Sequence, residues 1–422
     1  MTGTSLRGAL VVQADGPVRT SLHFSGDRIS TAPTEDAATV DLPGHLIFPG
    51  LVNAHDHLHL NAVPPPRSPT PFPNSYAWAE GFAAHFRDPA VAAALAVPAA
   101  IRCWQGGLKN LLAGTTTVAH HDPWDPALDA SNFPVRLLRR FGWCHSLGQA
   151  PRESLSGRVL DRLAGLFGAP APFGPPVAES FRATPAGAPF LIHLAEGTDA
   201  IARGELARLE ELGCLAANTL LVHGVGLSRE EIDRVIARGA GVVWCPSSNL
   251  ALLGATLAPR RLFEAGRLAL GTDSRLSGGR DLLDELGGAT ARGDLEPAEL
   301  LRLVTVDAAR LLVMPEVGSL APGKRADAVI VREERGRQSD GGDPGQRHHP
   351  AERLAGCRRA DLRAVVRDGR PTIGDPDLAG WFAAAGVEVV SVTLDGRPKL
   401  LARALARPEA IALEPGLELR PN

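Results

Sequence analysis

"HLIFPGLVNAHDHLHLN", residues 45–61, sets an apolar run directly before three histidines spaced two apart, His55, His57 and His59. Such a run reads as a buried strand, and side chains at i and i+2 share one strand face. His55 and His57 can therefore converge on one ion at the C-terminal end of that strand. Asp56 lies between them, points to the opposite face and reads as structural. A loop is expected to begin at His59. Taken alone the HxH pair is a weak signal, open to two readings: a metal site or a polar strand end.

The rest of the chain repeats the arrangement. Strand candidates "GTTTVAH", "FGWCHS", "PFLIHLA", "TLLVHGV", "GAGVVWCP" and "RLALGTD" alternate with helix candidates at 90–113, 156–167, 199–212, 228–238, 280–292 and 297–313. Short apolar strands alternating with longer helical stretches indicate a parallel α/β sheet or barrel. Three further strands end in residues able to bind metal: His193 followed by Glu196, then His223, then Asp273. In α/β barrels the C-terminal rim is where active sites are built. Three neutral imidazoles and a carboxylate suit zinc or another divalent transition metal. "FGWCHS" reads as the third strand. A fourth is expected before "PFLIHLA", but the intervening proline-rich "GAPAPFGPPV" offers no clear candidate.

A chain of 422 residues has room for a large barrel with an attached domain. Residues 1–45 read as short β segments. Turn-and-strand character returns in "GSLAPGKRADAVIV" (318–331) and "DLRAVVRDGRP" (361–371), separated by a polar loop that holds His348 and His349. The expectation is a barrel over 46–315 and one small β-sandwich domain built from 1–45 and 316–422.

Net charge is −3, which favours neither nucleic acid nor an anionic membrane as a partner. No apolar stretch reaches the roughly 18 residues of a membrane span. The opening "MTGTSLRGALVVQADG" does not read as a signal peptide. Five cysteines without a CxxC pair argue against a disulfide framework or a cysteine zinc site, so a reducing, cytoplasmic setting is expected.

"PGLVNAHDHLH", "HLAE", "LVHGVGL", "CPSSNL", "LGTDS" and "GSLAPGKRADAVIV" together resemble the amidohydrolase superfamily, in its chlorohydrolase and aminohydrolase branch of cytosine, guanine and adenosylhomocysteine deaminases. The resemblance implies a distorted (β/α)8 barrel with a β-sandwich from both termini. It also implies one divalent metal, zinc or alternatively iron, on residues matching His55, His57, His193 and Asp273. Binuclear members place a carboxylated lysine at the end of the fourth strand. Lys109, Lys324 and Lys399 are the only lysines and none falls there, so a mononuclear site is expected.

By the same resemblance Asp273 takes a proton from the attacking water, Glu196 shuttles it to the leaving group, and His223 polarises the bond under attack. Candidate substrate contacts are His59, Tyr76, Trp78, His120, His121, Asn249, Ser274 and Arg275. Arg67 and Asn74 lie in the same first loop as Tyr76, and His145 closes "FGWCHS". Asn249 could equally cap the following helix, Arg275 could equally form a surface salt bridge, and His223 could instead orient the water.

The expected reaction is hydrolysis of a C–N bond in a small nitrogenous substrate, foremost deamination of an amino-heterocycle or amidine. Opening of a cyclic amide or imidazolone and dechlorination of a triazine-like ring are the rival reactions. A non-catalytic scaffold is the rival outside enzymes. A homodimer is compatible with the architecture.

Overall fold

The computed structural model describes residues 3–13, 16–66, 70–85, 87–148, 174–333 and 349–420. The expected helix at 156–167, Arg67 and His348 lie outside the described residues. Eight strands that carry the site follow in chain order: β1 (Leu51–Asp56), β2 (Thr115–His120), β3 (Arg136–Leu137), β4 (Gly142–Ser146), β5 (Phe190–Leu194), β6 (Thr219–His223), β7 (Gly241–Trp244) and β8 (Leu268–Leu270). β1, β2 and β3 form one parallel sheet and β4 to β8 another, each in sequential order. β8 comes back beside β1, where the amides of Thr272 and Asp273 both donate to the His55 carbonyl at 3.1 Å. β1, β5 and β6 are buried along their whole length, which is why they read as unbroken apolar runs.

This order corrects the strand count. "FGWCHS" is the fourth strand, not the third, and it pairs directly with β5 through Gly142 and Phe190. The strand sought after it comes before it instead, as the two-residue β3 inside "NFPVRLLRR". Two residues are too few to carry a periodic signal.

The run "LIFPGLVNA" is also two strands rather than one. His45–Pro49 belongs to a separate nine-stranded sheet and β1 starts at Leu51. Gly50 separates them, and a Cβ there would sit 2.4 Å from Thr116 Oγ1 and 2.7 Å from Asp327 Cβ. Only glycine lets the chain pass.

Helices follow their caps. Asp199 accepts from Ala202 N at 3.0 Å ahead of Ala200–Glu211, and Ser228 forms a capping box with Glu231 ahead of Arg229–Ala237. The expected helix at 90–113 divides into Pro89–Ala96 and Ala99–Leu112 at Pro98, whose ring cannot sit inside a helix. The one expected at 297–313 divides into Pro297–Leu303 and Val306–Leu311. Among the described residues no single helix is long and apolar enough to cross a membrane.

The nine-stranded sheet takes strands from both ends of the chain, with Ile47 opposite Ile330. A four-stranded sheet of Arg28–Ser30, Leu22–Ser25, Thr4–Arg7 and Ala38–Asp41 lies against it. Leu6, Phe24 and Ile29 from the small sheet share one buried cluster with Ile47, Ile330 and Val366 from the large one.

Candidate active site

The ends of β1 and β5 and the residues after β8 bring four side chains to one point. His193 Nε2 lies 3.3 Å from His55 Nε2 and 3.3 Å from His57 Nε2. Asp273 Oδ1 lies 3.5 Å from His57 Nε2 and 3.9 Å from His55 Nε2. A tetrahedral metal with ligands at 2.0–2.1 Å holds those ligand atoms about 3.3–3.4 Å apart. Four of the six donor separations are thus near what one such ion requires, and all four side chains are buried. His223 adjoins them, grouped with His55 and His193 within 4.8 Å. Its Nε2 is 3.5 Å from Glu196 Oε1.

The outward nitrogens fix the inward ones. His193 Nδ1 faces the His145 carbonyl at 2.8 Å, and His57 Nδ1 faces Asp122 Oδ2 at 2.5 Å. An Nδ1–H donated to an oxygen leaves the Nε2 lone pair turned to the centre. His223 is set the same way by Asn249 Oδ1 at 2.8 Å. Ser248 Oγ donates to Asp273 Oδ2 and the Ser274 amide to Oδ1, both at 2.7 Å. His55 Nδ1 is buried without a hydrogen-bond partner among the described residues.

Charge follows from these contacts. Burial, reinforced by neighbouring imidazoles, drives His55 and His193 well below the ordinary histidine pKa, so both are neutral, the form able to bind a metal. Burial also works against a charge on His57, but the carboxylates of Asp122, Asp273 and Asp56 outweigh it and raise the pKa to about 9. Surroundings that hold a proton on His57 also favour a metal cation in its place. Burial raises Glu196, which suits a group that takes and gives a proton, while His57 and His223 outweigh burial at Asp273 and lower it. His145 falls to about 4 through burial.

The structure also distributes the remaining candidates. Asp56 turns away from the centre, as its strand position predicts, into a buried network with Lys109 Nζ at 3.1 Å, Asn110 Nδ2 at 2.7 Å and Asn61 Nδ2 at 2.8 Å. His121 reaches the site, with Nε2 3.2 Å from His193 Nδ1. His59 and His120 stand together beside Asp122, one shell further out. Asn249 sits inside the helix Pro246–Leu253 and orients His223 rather than capping the helix. Ser274 is buried at Asp273. Arg275 points to Glu414, with paired contacts at 2.7 and 2.9 Å. It lines a 690 Å³ cleft with Asn61, Val63, Arg280 and Asp395, next to the metal ligands rather than among them.

Tyr76 hydrogen-bonds the Glu205 carboxylate and accepts from Gly148 N at 3.0 Å. Trp78 packs near Val63, Val91 and Leu276. The first loop is tied across Glu196: Ser75 N donates to the Glu196 carbonyl at 2.9 Å and Thr198 N to the Pro73 carbonyl at 2.8 Å.

Two participants were not singled out from sequence: Asp122 and Glu205. Asp122 stood beside two histidines that were noticed, in "AHHDP". Its role shows only once β1 and β2 pair and bring Asp56 opposite His120. Glu205, whose Oε2 accepts from Ala195 N at 2.6 Å, sits on a helix with nothing in its spacing to mark it.

Parallel strands whose C-terminal ends present buried imidazoles, a metal-competent carboxylate and a buried glutamate form an arrangement able to hold a divalent metal. The amidohydrolase family model matches residues 182–372 of this chain. The chain is similar to a 5-methylthioadenosine/S-adenosylhomocysteine deaminase of Pelotomaculum thermopropionicum, 29% identical over 53% of this chain and 59% of the relative. A protein of the same name from Teredinibacter turnerae is 27% identical over 74% of this chain and 79% of its own length. Among solved structures, a zinc-bound adenosine deaminase from Xanthomonas campestris superposes with a TM-score of 0.65. It is 23% identical and covers 91% of this chain and 97% of its own.

Proposed function

We propose that this protein is a mononuclear metal-dependent aminohydrolase that removes an amino group from a nitrogen heterocycle. In this reading β1 to β8 close into a distorted barrel over residues 46–315, and the segments 1–45 and 316–422 form a β-sandwich beside it. The observation that carries the reading is the convergence of His55, His57, His193 and Asp273, four of whose separations, 3.3 to 3.9 Å, are near those around one tetrahedral ion. The donor set of three imidazoles and one carboxylate favours zinc, with iron as the alternative. The lysine set supports a single ion: β4 ends in "WCHS" and the three lysines lie elsewhere. The five free, buried cysteines fit a reducing cytoplasm.

When bound, the metal supplies Lewis acidity that brings the pKa of an adjacent water towards neutrality. The chain's own residues do the rest. Asp273, kept ionised by His57 and His223, accepts the proton of the attacking water. Glu196, raised by burial, receives a proton and delivers it to the departing nitrogen. His223, held by Asn249, directs Nε2 towards Glu196 and the reacting carbon's substituent. The strap from Pro73 to Ser75 across Glu196 keeps bulk water from the proton path.

A deaminase rather than a ring-opening or dechlorinating hydrolase is favoured by the deaminase names of the sequence relatives. Glu196→Gln tests the mechanism. The variant should retain one metal per chain and lose about 10²–10⁴-fold in ammonia release from aminopurine nucleosides and other amino-heterocycles. Unchanged turnover removes Glu196 from the reaction, and wild-type protein that binds no metal defeats the whole reading.

A further inference from the structure

The backbone around Glu196 is gripped by one buried carboxylate that takes no part in the reaction. Just before Glu196, Ala195 has left-handed backbone, φ +53°, which a residue with a Cβ adopts only where its surroundings enforce it. Glu205 Oε2 supplies that enforcement, accepting from Ala195 N at 2.6 Å. On the other side, the Glu196 carbonyl accepts from Ser75 N at 2.9 Å. The next residue, Tyr76, donates its hydroxyl to Glu205 Oε1, the second oxygen of the same carboxylate. The contacts close a ring from Glu205 through Ala195, Glu196, Ser75 and Tyr76 back to Glu205. Glu205 is buried on the helix Ala200–Glu211, and Asn74 Nδ2 ties the first loop to Asp199 Oδ2, at the cap of that helix, at 2.6 Å. Tyr76 also accepts from Gly148 N at 3.0 Å, and a Cβ on Gly148 would stand 2.6 Å from the Tyr76 ring. The phenol is thus seated against bare backbone, with its hydroxyl proton and a lone pair both engaged inside the protein.

We propose that Glu205 and Tyr76 are positioning residues for Glu196, and that Tyr76 serves in this way rather than as a substrate contact. The role rests on Glu196 being the proton carrier. A proton carrier acts only within hydrogen-bond reach of the atom it serves, and a misplacement of about 1 Å can cost about 10²-fold in rate. The donors come from two separate segments, an amide at the end of β5 and a phenol on the first loop, so the gripping group needs an acceptor for each. A carboxylate supplies both. Glutamine keeps an oxygen for Ala195 N and can turn its amide N–H to the phenol oxygen, whereas leucine offers neither. Phenylalanine at position 76 keeps the ring against Gly148 and loses only the hydroxyl.

Glu205→Leu, Glu205→Gln and Tyr76→Phe test this in the full-length, metal-loaded protein. The readouts are ammonia release from the amino-heterocycle that wild type turns over fastest, and hydrogen exchange of the amides at 195–198. Glu205→Leu should keep its metal and lose about 10²-fold in kcat, with KM within about threefold of wild type. Its Ala195 amide should exchange at least about tenfold faster. Tyr76→Phe should lose about tenfold in kcat with the same unmoved KM. Glu205→Gln should recover most of what leucine loses. Unaltered kcat in Glu205→Leu, a Tyr76→Phe defect confined to KM, or a glutamine variant as poor as leucine overturns the proposal. Should Glu205→Leu fail to fold, Tyr76→Phe decides by the same split between kcat and KM. Wild type that releases no ammonia from any amino-heterocycle defeats the aminohydrolase reading alone. Exchange then decides the positioning role, and unchanged rates at 195–198 in Glu205→Leu and Tyr76→Phe overturn it.

Discussion

Asp122→Asn removes one charge from the contact that orients His57 while keeping an oxygen able to accept its Nδ1–H. The pair is 2.5 Å apart and its side chains are 8% and 7% exposed, so water cannot replace the lost carboxylate. Losing such an outer partner costs about 10–100-fold in metal affinity, or about 1.4–2.7 kcal/mol. A proton competes for the same place. Without metal His57 titrates near 9 because Asp122 helps to hold its proton against the effect of burial. Below pH 9 the wild type must therefore release that proton to take up metal, and its affinity should rise about tenfold per pH unit between 7 and 9. The asparagine variant holds the proton less firmly, so part of its handicap cancels at pH 7. The expected result is a larger affinity deficit at pH 9 than at pH 7, together with a flatter profile. Competition against a metal-buffering chelator at both pH values measures it. An unchanged affinity at pH 9, or a deficit that grows towards pH 7, would refute the argument that Asp122 acts through the charge on His57.

Three other perturbations have defined outcomes. Lys109→Met leaves the Asp56 carboxylate buried without its cation and should cost about 3–5 kcal/mol in denaturant unfolding, whereas a loss below about 1 kcal/mol would mean the network is held by Asn61 and Asn110 alone. Glu205 is raised to about 7, first by burial, so its stabilising contribution is complete below about pH 4.5 and is lost as pH rises through 7. Glu205→Gln should flatten that fall between pH 5 and 8 in thermal melts, and an unaltered slope would show that other groups produce it. Gly106→Ala puts a Cβ 2.2 Å from the Leu58 carbonyl, so the turn after His57 must move. A stability loss of about 1–3 kcal/mol and weaker metal binding are expected, and wild-type behaviour in both would show the turn to be free to shift.

The residues legible in the sequence are those whose meaning is local. His55, His57, His193, His223 and Asp273 each end an apolar run, and a strand end is visible from its own few neighbours. Asp56 was legible as structural because period-two alternation alone turns it away from its flanking histidines. β3 was missed because two residues have no period, and its absence displaced the count of "FGWCHS". The break at Gly50 was missed because the apolar pattern runs straight through it. What stops the strand is the approach of Thr116 and Asp327 from distant parts of the chain. Asp122 and Glu205 belong to the same class: their partners, His57 and the Ala195 amide, become neighbours only by folding. Arg275, read in sequence as a substrate contact or equally a salt-bridge residue, pairs with Glu414, a partner 139 residues away that only folding brings near.

The strand ends carry one more physical constraint. Ala195, His223 and Asp273 all have left-handed backbone, with φ of +53°, +79° and +56°. Each such residue costs of order 1–3 kcal/mol and persists only where its surroundings enforce it. The enforcing contacts are identifiable. Glu205 Oε2 holds the Ala195 amide at 2.6 Å, Asn249 holds the His223 ring, and the Ser248 hydroxyl with the Ser274 amide holds the Asp273 carboxylate. A strand continued in extended form would carry the next side chains alternately inward and outward. A left-handed residue at the end breaks that alternation, and here it falls where Asp273 and His223 turn to the centre and where Ala195 leads into Glu196. The strain is thus located at the residues of the candidate site, and the buried polar contacts around them act on those positions. They keep three unfavourable backbone positions populated, so that His223, Asp273 and the chain entering Glu196 are held in place by the protein itself.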